Sequence, residues 1–158
     1  MKRSGFTGSK AFNLLELVLV VAIIAILGAI GIPKMSQGSK GMDDSALRGD
    51  LAALRNAIDL YAAEHSGALP AAADIANQLT KYTDATGNSI SDTKTPICIY
   101  GPYIRSIPPL PVGTKAGSRG ISATDGSDVG WLYTEATGKI IPNTGDLKDN
   151  KAIPYTSY

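Results

Sequence analysis

A run of apolar residues near the N-terminus constrains this chain more than any other feature. It extends from Phe12 to Ile32, and from Leu17 onward it contains no charged residue. As a helix rising about 1.5 Å per residue, it would be roughly 30 Å long, the thickness of the hydrocarbon core of a bilayer. One carboxylate, Glu16, lies near its start. Because an ionisable group inside a membrane costs about 2.5–3.5 kcal/mol at mid-bilayer and less near an end, Glu16 should have a partner.

Two common kinds of N-terminal segment explain only part of this pattern. A secretory signal peptide would fit the preceding cations Lys2, Arg3 and Lys10 and a small-residue cleavage site at Gly28-Ala29. The run is long for a signal core, however, and such cores are normally uncharged. A plain single-pass anchor fits the length, and the cations predict a cytoplasmic N-terminus. Neither gives Glu16 a partner.

A cut between Ala11 and Phe12 would supply that partner. Phe12 would then carry a new α-amino group, with Glu16 one helical turn further on. In a bundle of staggered helices, the amine of one subunit would meet the carboxylate of its neighbour, with an attraction of about 4 kcal/mol at ~4 Å and an effective dielectric constant near 20. Because a misaligned pair would leave a bare charge in lipid, Glu16 would set the register of the helices more than add stability.

These residues resemble the N-terminal segment of the type IV pilin superfamily, which includes type IV pilins and the pseudopilins of type II secretion. The matching features are a basic leader, an aromatic first mature residue (Phe12), Glu16 at the fifth mature position, the apolar helix and then Pro33. The chain departs at Ala11, where the family usually has Gly. The resemblance implies that a prepilin peptidase cleaves after Ala11 and N-methylates Phe12.

The resemblance also implies a structural subunit and not an enzyme. We expect a filament of identical chains at a bacterial inner membrane, with a cytoplasmic N-terminus and a periplasmic head. Its partners would be other pilin-like subunits, the peptidase, an assembly platform and the secretion machinery. A type II secretion pseudopilin is favoured; a type IV pilin for adhesion, twitching motility or DNA uptake is the alternative. A membrane-anchored periplasmic binding or scaffold protein that does not polymerise is a second alternative.

The remaining residues predict one locally weakened helix followed by a small head. Pro33 would kink or end a helix, and glycines follow it. An apolar stripe then recurs at helical spacing, and Gly67 suits a helix C-cap. The stripe consists of Leu47, Leu51, Leu54, Ile58 and Tyr61. The expected organisation is a leader (1–11), an apolar transmembrane or filament-core helix (12–32), an amphipathic continuation (33–66) and a head (67–158).

The expected fold class is α+β, with a long N-terminal helix packed on a small antiparallel sheet, the lollipop shape that the resemblance implies. Ile75, Leu79 and Tyr82 predict a second short helix. The segment 96–104 is β-like in composition, whereas the density of Pro and Gly in 107–120 excludes a helix or central strand. A hairpin is predicted from Val129–Tyr133 and Lys139–Ile141.

Few residues suggest chemistry. The lone Cys98 excludes an internal disulfide and is expected to be a buried apolar residue. His65 is expected on the surface at a helix end, and Lys115 and Arg119 are expected to be solvated in a loop. No cofactor is expected, although Asp125 and Asp128 are weak candidates for calcium ligands. From Phe12 onward the formal net charge is −2, so no nucleic-acid partner is expected.

Overall fold

The computed structural model describes residues 13–149 and 151–158, with the side chains of residues 27–40 left out of that description. The chain divides into two compact units, Met1–Ser39 and Lys40–Tyr158. Each unit is described by itself, and the second one is called the head. The predicted leader residues, with Ala11 and Phe12, lie outside the described residues.

Helical backbone (α1) extends from Leu14 to Glu64. Its residues up to Ser39 belong to the first unit, and those from Lys40 belong to the head. The helix that belongs to the head is only about 24 residues long. The prediction of a long N-terminal helix packed on the head is therefore wrong. The division falls within a stretch that contains Pro33, which lacks an amide donor, and the weak helix formers Gly38 and Gly41. Helical backbone continues through Pro33, and a kink there stays a prediction.

The part of α1 in the head buries one face, as the apolar stripe predicts. Leu47, Leu51, Leu54, Ile58 and Tyr61 are each at most 2% exposed. The helix ends at Glu64, and the backbone turns through Ser66 and Gly67, which both have positive φ. The Gly67 amide donates to the Ala62 carbonyl at 2.7 Å and so closes the helix end.

The head contains two small sheets, and their pairing corrects the predicted antiparallel sheet. One sheet is the antiparallel pair β1 (Tyr82–Thr83) and β2 (Ile90–Ser91). The other has the order β3 (Gly120–Ser122), β4 (Val129–Thr134) and β5 (Lys139–Pro142). In it β4 and β5 form the predicted antiparallel hairpin, but β3 pairs with β4 in parallel. The Gly-rich composition before β3 concealed this strand from the sequence pattern.

The second helix, α2 (Ile75–Thr80), is confirmed, although Tyr82 lies beyond it in β1. The segment 96–104 is not a strand: it makes one isolated bridge, Thr83 to Tyr100, and contains the cis peptide Gly101-Pro102. Pro96 and Pro102 remove amide donors that a strand would need.

The core lies between the helix and the three-stranded sheet. Trp131, Tyr133 and Ile140 from β4 and β5 join the helix stripe, together with Ile75 and Leu79 from α2. Trp131 donates its indole N–H to the Pro108 carbonyl at 2.9 Å, and Tyr133 donates its hydroxyl to the Pro70 carbonyl at 3.0 Å. Both large aromatic side chains thus satisfy their polar atoms while buried.

Candidate functional site

The first helical turns of α1 expose an apolar surface on every side. Ten large apolar side chains between Leu14 and Ile26 are 44–79% exposed: Leu14, Leu15, Leu17, Val18, Leu19, Val20, Val21, Ile23, Ile24 and Ile26. A helix that is apolar all round is normally covered by protein or lipid. At about 25 cal/mol per Å², covering ten such side chains contributes on the order of 10 kcal/mol. We call residues 13–26 the apolar segment.

Glu16 is exposed and lies in the first turn of this segment. Helix N-termini carry unpaired amide groups and a partial positive charge, so a carboxylate there is favourable even without a partner subunit. Asn13 stands just before the helix. Its carbonyl accepts from the Leu17 amide at 3.1 Å, and its side-chain oxygen lies 3.4 Å from the Leu15 amide. In the sequence of the apolar segment, Glu16 is the one ionisable side chain.

Among the described residues, none of the helices has both the length and the apolar character needed to span a bilayer.

In the head, the C-terminal segment is fastened to the start of the head helix. Tyr155 donates its hydroxyl to Asp44 at 2.5 Å, and both residues are buried. Tyr158 donates to the buried carboxylate of Asp149 at 2.5 Å, and its ring lies 4.4 Å below the Arg48 guanidinium. Sequence patterns missed the contacts of Tyr155 with Asp44 and of Tyr158 with Arg48, because these residues lie 111 and 110 positions apart.

These contacts shift two ionisable groups in opposite directions. The hydrogen bond from Tyr158, with the Ile153 and Lys151 amides and the Arg48 charge, lowers the pKa of Asp149 against the opposing effect of desolvation. Burial, followed by the hydrogen bond to Asp44, raises the pKa of Tyr155. The segment is therefore held by an ionised Asp149 and a neutral Tyr155.

His65 is buried, and the prediction that it lies on the surface is wrong. Its ring stacks on Tyr61 at 3.8 Å between centroids. Nδ1 lies 2.9 Å from the Tyr61 carbonyl, and Nε2 lies 2.9 Å from the Asp84 carbonyl and 3.1 Å from the Thr83 hydroxyl. The ring thus links the helix end to β1. It became buried because the helix ends at Glu64 and the chain turns inward.

The calcium candidates do not converge on a shared ligand. Asp125 accepts from the Lys115 ammonium and, at 2.7 Å, from the Asn143 amide. The first of these hydrogen bonds, followed by the second, lowers the pKa of Asp125. Asp128 instead accepts the Gly120 amide through its backbone carbonyl at 3.0 Å. Within the described part of the chain, no group of three His, Cys, Asp or Glu side chains could hold a metal. Calcium binding stays a prediction.

Cys98 is free and buried, as expected, and its thiol donates to the Ser89 carbonyl at 3.5 Å. Its nearest polar contacts are backbone and hydroxyl groups of the loop that it occupies, with Thr95 accepting the Cys98 amide at 2.9 Å. This packing gives Cys98 a structural role in the loop.

Comparison of this chain with known protein families, with curated proteins and with solved structures returned no match. The likeness to pilins therefore depends on the N-terminal residues from Lys2 to Pro33.

Proposed function

We propose that this protein is a structural subunit of a type IV pilus-like filament, namely a pseudopilin of a type II secretion system. The observation that carries the proposal is the apolar segment: it exposes large apolar side chains all round and contains a single carboxylate, Glu16, four residues after Phe12. Exposure of such a large apolar surface to water is unfavourable, and a surface of this kind marks a site of contact with protein or membrane. Copies of the same segment, with the amine of Phe12 facing Glu16 of a neighbour, would cover it.

The proposed mechanism is cleavage followed by packing. Prepilin peptidase would cut after Ala11 and methylate the new amine of Phe12. Before assembly, lipid would cover the segment, and residues 12–32 would anchor the chain in the inner membrane with the head outside the cytoplasm. Lipid tails are as apolar as the side chains themselves, so apolar burial gives helices little reason to choose each other over lipid. A charge pair supplies that preference, because only a correctly staggered neighbour neutralises Glu16.

The choice between pseudopilin and pilin depends on the head. Its single cysteine cannot close the disulfide-bonded loop that many adhesive pilins carry, which favours the pseudopilin. The loops of this head are instead held by noncovalent contacts, such as the hydrogen bonds from Tyr158 to Asp149 and from Asn143 to Asp125.

The test is assembly of Glu16→Gln in the native host or in a reconstituted secretion system. The matched control is Asp59→Asn, which removes an exposed carboxylate from the head helix. We expect Glu16→Gln to reach the membrane at normal levels and to lose most filament assembly, measured by electron microscopy and by crosslinking between subunits. Asp59→Asn should assemble normally. Undiminished filaments of Glu16→Gln would refute the register role of Glu16.

A further inference from the structure

The four arginines of the described head fall into two pairs with different surroundings. Arg48 contacts Asp149 and Tyr158. Arg55 donates to the backbone carbonyls of Tyr158 and Ile140. Arg105 and Arg119, by contrast, form no ion pair with any residue that the structure describes. The first pair contacts Tyr158 in the C-terminal segment, whereas the second pair is exposed and contacts the fold through the hydrogen bond from Arg119 to the Ile107 carbonyl.

Arg105 and Arg119 line the same groove, which lies between α2, residues 105–107 and the start of β3. The groove has a volume of about 420 Å³ and no carboxylate in its lining. One Arg119 nitrogen, Nη1, donates to the Ile107 carbonyl at 2.7 Å, so this exposed guanidinium is oriented and keeps further N–H groups for a ligand. Two like charges facing one groove repel each other, and an anion between them reverses the sign of that interaction.

The position of these arginines is not a consequence of a basic head. Residues 40–158 carry eleven basic and thirteen acidic side chains, so the head has an acidic excess. Lys81 and Lys115 are both paired with carboxylates, Asp92 and Asp125. The groove of Arg105 and Arg119 is thus a local basic site on an acidic body. Two arginines are also too few for a nucleic-acid surface, which shows an extended basic face.

The remaining groove residues indicate the class of ligand. Ala76 and Ile107 supply apolar surface, and Asn77 and Ser106 supply amide and hydroxyl groups at the rim. Guanidinium groups bind carboxylates through paired hydrogen bonds. An acidic polypeptide segment carries carboxylates, amide groups and some apolar surface in one chain, and it therefore matches this lining. We propose that this groove binds an acidic segment of a partner polypeptide, with carboxylates on Arg105 and Arg119.

The test uses the full-length protein in a neutral detergent and a fluorescent hexaglutamate peptide as the probe. Binding is measured by fluorescence anisotropy at low and at physiological salt. The groove variant is Arg105→Gln with Arg119→Gln. The matched control is Lys94→Gln with Lys151→Gln, which removes two exposed cations from other loops. Fluorescence of the buried Trp131 verifies that each variant keeps its fold.

We expect saturable binding that weakens at least tenfold in the groove variant and less than twofold in the control. Hexaglutamine should not bind, and inorganic phosphate should compete no better than sodium chloride at equal ionic strength. Equal losses in both variants would overturn the proposal, because delocalised charge would then explain binding. If phosphate displaces the peptide more strongly than sodium chloride does at equal ionic strength, the groove is a general anion site and the proposal is overturned. Absence of hexaglutamate binding would also overturn it.

This inference does not depend on polymerisation, since binding is measured on unassembled protein. A groove variant that loses the peptide but still forms filaments would leave the proposed function intact. Failure of Glu16→Gln to affect assembly would leave the groove proposal intact.

Discussion

Two helical regions of this chain contain similar numbers of apolar residues but differ in how far these residues are buried. In the apolar segment, residues on every side of the helix are exposed, whereas in the head helix one stripe is buried and the opposite face consists mainly of small and polar residues, together with the exposed Leu60. The head helix follows the pattern of a soluble protein, in which one face packs on a core. The apolar segment follows the pattern of a helix whose covering comes from outside its own fold. Burial within the chain therefore stabilises the head, whereas the side chains of the apolar segment are exposed.

Truncation of one leucine in each region gives the largest expected contrast. Leu54 is fully buried in the head, and Leu17 is 59% exposed. We expect Leu54→Ala to lower the free energy of unfolding of the head by about 2–5 kcal/mol, since it leaves a cavity in a packed core. Leu17→Ala should leave that free energy unchanged. Urea titrations that follow Trp131 fluorescence measure both. A Leu17→Ala protein whose head unfolds as easily as that of Leu54→Ala would contradict the separation.

Gly87 tests how tightly a loop packs against Tyr61 of the head helix. At Gly87, φ is +75°, and an added Cβ would collide with the hydroxyl of Tyr61. We expect Gly87→Ala to destabilise the head by roughly 2 kcal/mol, because it combines backbone strain with a displaced core tyrosine. The same urea titration measures the loss. An unchanged midpoint would show that the Tyr61 side chain is not fixed against this loop.

Acid should loosen the C-terminal segment of the head. Because the pKa of Asp149 is lowered in the folded state, its contribution is fully present above the ordinary aspartate pKa of about 3.9 and is lost as the pH falls through its folded value. We expect Asp149→Asn to reduce stability at neutral pH and to flatten the decline between about pH 4 and pH 2.

The control for this prediction is Asp146→Asn, which alters an exposed carboxylate of the same loop. Thermal unfolding across this pH range should give the control the same profile as the parent protein. An Asp149→Asn variant with the parent slope would show that Asp149 is not the group responsible.

The smallest expected effect is a gain in stability. Gly49 lies in the exposed part of the head helix, and a Cβ there would meet no atom within 4 Å. Gly49→Ala should therefore stabilise the head by about 0.5–1 kcal/mol through helix propensity alone. A rise of a few degrees in the melting temperature would confirm it, and a fall would contradict it.

Local patterns predicted the parts of the fold that depend on local interactions. The spacing from Leu47 to Tyr61 predicted the buried face, and the residues around Gly138 predicted the β4–β5 hairpin. Patterns missed β3, a strand of only three residues that follows a Gly-rich segment, and the contact of Tyr155 with Asp44, which lie 111 positions apart. They placed His65 on the surface because its burial depends on aromatic residues that follow it by 35 positions or more, such as Tyr100 and Tyr103.

For the site, the sequence predicted Glu16 and the exposed apolar surface, since both follow from the order of residues in one helix. The groove of Arg105 and Arg119 could not be predicted, because these residues meet only after residues 105–107 and β3 pack beside α2. The division of the chain into two units could not be predicted either: the sequence indicated a weak stretch after Pro33 within one helix, but not a boundary between Ser39 and Lys40.

The central claim is that this chain is cut after Ala11 and keeps its apolar segment. Intact-mass analysis of the protein isolated from membranes of a host with prepilin peptidase tests it most directly, with a peptidase-deficient host as the control. In the host with the peptidase, we expect a mature chain that begins at Phe12 and carries one methyl group on its amine. In the peptidase-deficient host, we expect an uncut chain. A mature chain that begins at Met1 or near Gly28 in the peptidase-containing host would contradict it.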